Sequence, residues 1–329
     1  MPRTKQSNSA LDTDSTKTSS GISRSRRSSL SKGNFTGLGV AQKRSLTGWA
    51  FLIPAALLIA IMNFYPMFQA FFLSMKTGKG ANLNYAEPLW YNYKRLLDDE
   101  IFMMTMRNTF IYLIVQVPIM LFLALILANL LNNKHLRFKA FWRTAIFLPC
   151  AVSLVSYSLV FRTLFSTEGF VNDMLRGIGI IDDPINWLGQ GSTARIVIII
   201  GLLWRWTGYN MIFYLAALQN IEYSSLEAAK IDGASSTQTF FYVTLPQLKP
   251  MILLTAILST NGTLQLFDES WNLTRGGPAY ESMSMSHYLY EVSFQKNPNF
   301  GYAAAISYVI LILVAILALT QMKVGDKRD

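Results

Sequence analysis

The sequence predicts an all-α, polytopic membrane protein with six transmembrane helices, and three observations carry that expectation. Six apolar segments, near 49–74, 109–131, 141–165, 196–219, 251–271 and 301–320, are each long enough to cross a ~30 Å hydrocarbon core as a helix. Only 15% of the 329 residues are charged, against about 25% in soluble domains, and the mean hydropathy is +0.29. The Lys and Arg residues also sort by loop. With the N-terminus inside, segments 1–46, 132–143, 220–250 and 321–329 hold eighteen of them, and 75–108, 166–194 and 272–300 hold eight. Cytoplasmic loops favour Lys and Arg, so both termini and the 220–250 loop are expected in the cytoplasm.

Residues 1–46 are Ser/Thr-rich and basic, with nine Lys/Arg against Asp12 and Asp14. They lack apolar periodicity and read as a disordered cytoplasmic tail. The polar part is too long for a secretory signal, and no small-residue cleavage site follows the first apolar run. Its RSRRSS stretch (24–29) reads as a solvated element that helps fix orientation, with a phosphosite or an anionic-lipid contact as alternatives. The rest of the chain, 47–329, forms one six-span domain. Pro54 and Pro66 in the first span and Pro118 in the second predict kinks, because membrane helices tolerate proline. Between the first two spans, residues 88–108 have helical apolar spacing and interfacial aromatics, which predicts a short helix along the outer face.

The loop between the fourth and fifth spans is the unusual one. Residues 224–250 read SSLEAAKIDGASSTQTFFYVTLPQLKP. Ser224 and Glu227 have capping-box spacing and predict a helix start. Gly233 supplies a left-handed stop. Ser235 or Ser236 then caps a second helix that ends near Pro246. A plain connection needs none of this chemistry; a rigid helix pair of mixed polarity suits docking in a groove of another protein.

Glu227-Ala228-Ala229, Asp232-Gly233-Ala234, Phe240, Leu245-Pro246 and Pro250 resemble the EAA motif of ABC-importer permeases. WRWTGYN (204–210), YLAALQNI (214–221), LFDESWNLTRGGP (266–278), YEVSF (290–294) and GYAAAIS (301–307) narrow the resemblance to six-span sugar permeases of the first carbohydrate-uptake family. It covers about 49–323, and departs from the pattern at Arg275, where a small residue is usual before Gly276 and Gly277. The resemblance implies a permease subunit in a bacterial cytoplasmic membrane, moving a sugar or oligosaccharide. It implies four partners besides lipid: a second, different permease, two cytoplasmic ATPases and an extracytoplasmic sugar-binding protein. Residues Glu227, Ala228, Ala229, Asp232, Gly233, Ala234, Phe240, Leu245 and Pro246 would couple to the ATPase. ATP would be bound by the partners, with no cofactor in this chain.

Polar residues inside the spans are the candidates for a solute path. Asn261, Gln265 and Asp268 follow i, i+4, i+7 spacing and predict one helix face, with Glu269 beside it. Asn210 in the fourth span and Trp271 complete the candidate set. Polar groups in hydrocarbon usually face the bundle interior or a water-filled path, and a polyhydroxylated solute needs fixed donors and acceptors. Interhelical hydrogen bonding that only holds the bundle is the alternative. Arg205 is expected to be satisfied by helix carbonyls or paired with Asp268 or Glu269, with direct substrate contact as the alternative. Tyr209, Phe267 and Trp271 suit either sugar stacking or ordinary packing.

Other chemistry is absent from the sequence. There is no phosphate-binding loop, HExxH, GxSxG or kinase set. Cys150 reads as a small buried hydrophobe, His135 and His287 as ordinary solvent or interface residues, and nothing suggests a metal site. The charge is too scattered for a nucleic-acid surface. A permease for another polar solute such as glycerol phosphate remains an alternative. A membrane-embedded enzyme would need catalytic carboxylates, which only Asp268 and Glu269 approach. A secondary transporter would show inverted repeats, and none is visible.

Overall fold

The computed structural model describes residues 40–80, 82–133, 135–295 and 298–325. The tail expected over 1–46 lies outside these residues except for 40–46, which are helical. The chain divides into two compact units, residues 1–58 and 59–329. Within the first, α1 (Val40–Ile59) begins, and its apolar side chains from Trp49 onward are exposed.

The second unit continues through a π-helical turn, Ala60–Phe64, into α2 (Tyr65–Ser74). A second π-helical turn, Phe240–Thr244, joins α10 (Ser236–Thr239) to α11 (Leu245–Leu264). Each wide turn ends two residues before a proline, Pro66 and Pro246. Proline has no N–H to give, and its ring collides with the carbonyl four residues back. That carbonyl falls inside the wide turn in both cases, so the helix continues past the proline without breaking.

After α2 comes an antiparallel hairpin, β1 (Lys76–Lys79) and β2 (Asn82–Tyr85), pairing Lys76 with Tyr85 and Lys79 with Asn82. The otherwise helical expectation did not contain it. Nor does the expected helix over 88–108 form as one piece. Its first part is α3 (Tyr91–Leu97), and the rest belongs to α4 (Glu100–Asn132). The division has a local cause: Asp99 Oδ1 accepts hydrogen bonds from the Ile101 and Phe102 N–H groups at 2.9 and 3.1 Å, capping α4. Its other oxygen accepts from the Tyr288 and Tyr302 hydroxyls at 2.7 and 2.5 Å.

The third apolar segment is not one straight span. It splits into α5 (Lys139–Ala151) and α6 (Leu154–Leu164), bent by 96°. At 1.5 Å per residue the pieces reach only about 20 and 17 Å, short of the hydrocarbon core. Pro149 lies in the last turn of α5, and Val152 and Ser153 are extended. Cys150, beside this break, is half-exposed rather than buried. The short α7 (Phe170–Gly177) precedes α8 (Gly191–Gln219). Then come α9 (Tyr223–Ile231), α10, α11, α12 (Met285–Tyr290) and α13 (Phe300–Gly325). Among the described residues five continuous helices, Thr47–Ser74, Glu100–Asn132, Gly191–Gln219, Ser236–Leu264 and Phe300–Gly325, are long and apolar enough to span a membrane, and the bent pair, taken as one span, makes six.

Helices α4 and α8 pack along each other, with Ala124 and Ala128 fully buried against Met211, Tyr214, Leu215 and Leu218. Small residues at such contacts allow close approach. Helix α8 also comes close to α5 at Gly208, where an added Cβ would lie 1.9 Å from the Ile146 carbonyl oxygen.

Candidate functional site

Halfway along α8 and α4 the bundle opens into a cavity of about 380 Å³. Gln116 is the central residue of α4, and Arg205 is the central residue of α8. Each is therefore more than 20 Å from either helix end. Around them the wall is completed by Trp206, Tyr209 and Asn210 of α8, by Ser259, Gly262 and Thr263 near the end of α11, and by Gln265, Phe267, Asp268 and Glu269 beyond it.

The polar groups are set in place by short bonds. Asn210, 3% exposed, donates to the Trp206 carbonyl at 3.0 Å and approaches Met120 Sδ at 3.6 Å. Gln116 donates to the same sulfur at 3.0 Å and accepts from Thr263 Oγ1 at 3.2 Å. Arg205 behaves differently from expectation. Its Nε and Nη1 are buried with no hydrogen-bond partner, and no carboxylate among the described residues pairs with it. Its guanidinium instead lies over Tyr157 and Trp206, 5.1 and 5.5 Å from the ring centres. Buried donors are paired almost everywhere in proteins. Arg205 as a residue lines the cavity, although these two nitrogens are themselves sealed from it.

The expected polar face of the fifth span is only partly realised. Helix α11 stops at Leu264, and Gln265 is its C-cap. The chain turns and resumes as a π-helical segment, Ser270–Thr274. Gln265, Asp268, Glu269 and Asn210 do line the cavity, but Asn261 and Trp271 do not. Asn261 accepts from Gln265 Nε2 at 2.5 Å and so orients a lining residue. Trp271 stacks on Phe267 at 6.0 Å and lies under the Arg275 guanidinium at 4.6 Å. Arg275, at the position that departs from the family pattern, takes a left-handed conformation, φ 55°. His287 is buried rather than interfacial, its Nδ1 2.8 Å from Ser270 Oγ.

In the helix-pair loop, the first expected cap is displaced. Helix α9 starts at Tyr223 with Glu222 as N-cap and no side-chain cap bond, so Ser224 lies inside the helix and its Oγ meets Glu222 Oε2 at 3.3 Å. The stop forms as the sequence predicts. Gly233 has φ +79°, the Ala234 N–H bonds the Ala229 carbonyl at 2.9 Å, and the Gly233 N–H bonds that of Lys230 at 3.1 Å. These two bonds are the Schellman closure. Ser235 and Gln238 then form a complete capping box, 3.3 and 2.8 Å. Glu227, Ala228, Asp232 and Gly233 are exposed, Ala229 and Ala234 half-buried. Downstream, Phe240 and Leu245 are half-buried and Pro246 is exposed. Sequence reasoning missed the apolar side chains beside them: Ile231 and Tyr242 are 85% and 79% exposed, and Phe241 is exposed too. It also missed Gln116, although a lone amide inside an apolar run is a readable signal.

A bundle of membrane-length helices with a polar cavity at mid-helix has the form of a transport protein. Comparison with known proteins agrees. Residues 106–323 match the family described as binding-protein-dependent transport system inner membrane component, and the chain belongs to that family. It is 50% identical over 285 residues to the lactose transport system permease protein LacF of Rhizobium radiobacter, covering 86% of this chain and 95% of that one. It is 33% identical over 277 residues to the arabinooligosaccharides transport system permease protein AraP of Halalkalibacterium halodurans, covering 83% and 86%. The fold is similar to a chain from a bacterial ABC transporter that imports alginate, with TM-score 0.74, 23% identity and coverage of 86% and 96%.

Proposed function

We propose that this chain is one half of the sugar path in an ATP-driven importer, with a second, different permease forming the other half. One observation carries the reading. Gln265 and Asp268 are exposed on the lone chain while also lining the cavity, and Asn261 beside them is exposed as well. Polar and charged groups at this depth do not face lipid, so another subunit must cover this side and enclose water against it. The relatives named for lactose and arabinooligosaccharide transport support a neutral sugar as the solute. A phosphate ester such as glycerol phosphate fits less well, because Arg205 is the single cation in a wall with two carboxylates.

The loop of α9 and α10 is the coupling contact in this reading. It presents Glu227, Asp232 and the exposed Ile231, Phe241 and Tyr242 to a groove on one of two ATPase subunits. The Lys/Arg asymmetry supports a cytoplasmic position for this loop and both termini, and an extracytoplasmic binding protein delivers sugar to the opposite side. Binding-protein docking and ATPase closure then rock the two halves, exposing the cavity first outward and then inward. Arg205 and Glu269 meet the solute hydroxyls, and this chain breaks no bond.

The test is reconstitution in vesicles with and without each partner. The reading expects a stable complex containing two permeases and two ATPases, and sugar accumulation that requires all of them plus the binding protein. A species of this chain alone that moves sugar would overturn it.

A further inference from the structure

The cavity accounts for one position of the solute but not for a row of rings that leads to it. Phe294, 63% exposed, lies 5.3 Å centre to centre from Tyr290. Tyr290 is 5.0 Å from Phe267 and 5.3 Å from Trp271. Phe267 forms part of the cavity wall. On the α8 part of the wall there is a second row: Trp206 is 5.7 Å from Tyr209, and Tyr209 is 5.1 Å from Phe213, one turn nearer the α9 end of α8. None of Phe294, Tyr290, Phe267, Trp271, Tyr209 and Phe213 belongs to the three buried clusters that form the core. All six are half-buried or exposed. Phe267 and Trp271 rest on the buried His287 ring, and Trp206 packs against a core cluster, but the core clusters do not account for Phe294, Tyr290, Tyr209 and Phe213.

We infer that these rings form a stacking track for pyranose sugars, running from Phe294 through Tyr290 to Phe267, across the cavity, and on through Tyr209 to Phe213. The inference rests on the sugar-import reading above and extends it from one site to a path. A pyranose presents an apolar C–H face and a polar rim of hydroxyls. The apolar face fits an aromatic face, and the rim needs donors and acceptors alongside. Both are present at Phe267, where exposed Gln265 and Asp268 stand beside the ring in the cavity wall. The spacing from ring to ring, 5.0 to 5.7 Å along the two rows, is about the length of one sugar ring. A solute can thus move by one rung while the next is already within reach. Many equivalent weak contacts suit a path, since a solute must leave as readily as it enters.

The experiment uses the complete transporter in vesicles, with a panel of neutral di- and trisaccharides that includes lactose. Transport is measured with whichever member the wild type accumulates. Phe294→Leu, Tyr290→Leu and Phe213→Leu keep apolar bulk and remove the ring; Phe294→Trp and Tyr290→Phe keep a ring. Each leucine variant is expected to lower sugar moved per ATP hydrolysed by about 2- to 12-fold, the usual worth of one ring contact. The ring-keeping variants should match the wild type. Hydrolysis stimulated by loaded binding protein, and the yield of assembled complex, should stay unchanged in all five. Phe294 is the cleanest position, because so exposed a side chain contributes little packing. Leucine variants that transport like the wild type would overturn the track, as would losses that follow assembly yield instead of the ring. A wild type that accumulates no panel sugar would overturn the import reading itself, and with it the track.

Discussion

Gly233 offers a test in which backbone conformation is separated from side-chain contact. Its φ of +79° is left-handed, and an added Cβ would meet nothing within 4 Å. Gly233→Ala therefore has no steric consequence beyond its own φ/ψ, which costs about 1–2 kcal/mol for an L-residue. Nothing nearby absorbs that cost. Helix α9 has nine residues, none of them buried, and no side-chain N-cap, so it has little besides local terms to hold it. A loss of this size shifts the closed turn by about 5- to 30-fold. Asn tolerates the left-handed region better than Ala, and a β-branched residue is an outlier there. The expected order in ATPase association is therefore Gly, then Asn, then Ala, then Val. Hydrogen exchange at the Gly233 and Ala234 amides should accelerate in the same order, because both are bonded in the closed turn. Alanine equal to wild type in both measurements, or asparagine worse than alanine, would refute the reasoning.

Other outcomes follow from the same structure. Gln265→Leu and Asp268→Asn should reduce sugar uptake with assembly intact, whereas Asn261→Leu, which acts only by orienting Gln265, should reduce it less; uptake and complex yield measured together check this. Gly208→Ala forces α5 and α8 apart and should lower thermal stability by about 1–3 kcal/mol. Acid should destabilise the protein in two windows, read from melting temperature against pH. Burial pushes the His287 imidazole down to about 4, so the folded state resists a proton that the unfolded chain takes up. Stability should fall between about pH 6.5 and 4, and His287→Gln should remove that slope. Burial pushes the Asp99 carboxyl up, but the Tyr302 and Tyr288 hydroxyls and two backbone N–H groups outweigh it and hold it below its ordinary value. That contribution is lost only as pH falls below about 4, and Asp99→Asn should abolish the lower window.

The spans were legible because lipid imposes one requirement, a long apolar helix, and composition reports it directly. Gly233 and Ser235 were legible for a similar reason: a left-handed stop and a capping box need particular residues at fixed offsets. The displaced start of α9 was not, since Ser224 and Glu222 can each precede a helix and sequence does not rank them. Hydropathy also carries no direction, so the apolar run over 141–165 concealed a right-angle break at Val152 and Ser153. The end of α11 was misjudged because i, i+4, i+7 counting assumes that the helix continues. Gln265, as its C-cap, still reaches the cavity, while Asn261 one turn earlier does not. Arg205 was expected to be satisfied because isolated buried charge is costly; in the cavity wall its guanidinium rests against the Tyr157 and Trp206 rings instead.

The uninterrupted helix from Ser236 to Leu264 has a consequence of a different kind. At 29 residues it is a rod of about 43 Å, and the wide turn before Pro246 keeps it in one piece. One end carries the Ser235 cap beside the helix-pair loop, and the other delivers Gln265 and Phe267 to the cavity. Under the proposed function, power input and cargo choice share a single crankshaft. Exchanging the cavity residues of one transporter for those of another alters what the shaft carries without altering its length or phase. Exchanging the loop to suit a new motor alters the phase for every cargo. An engineer who wants either change would do better to move residues 235–268 as a unit.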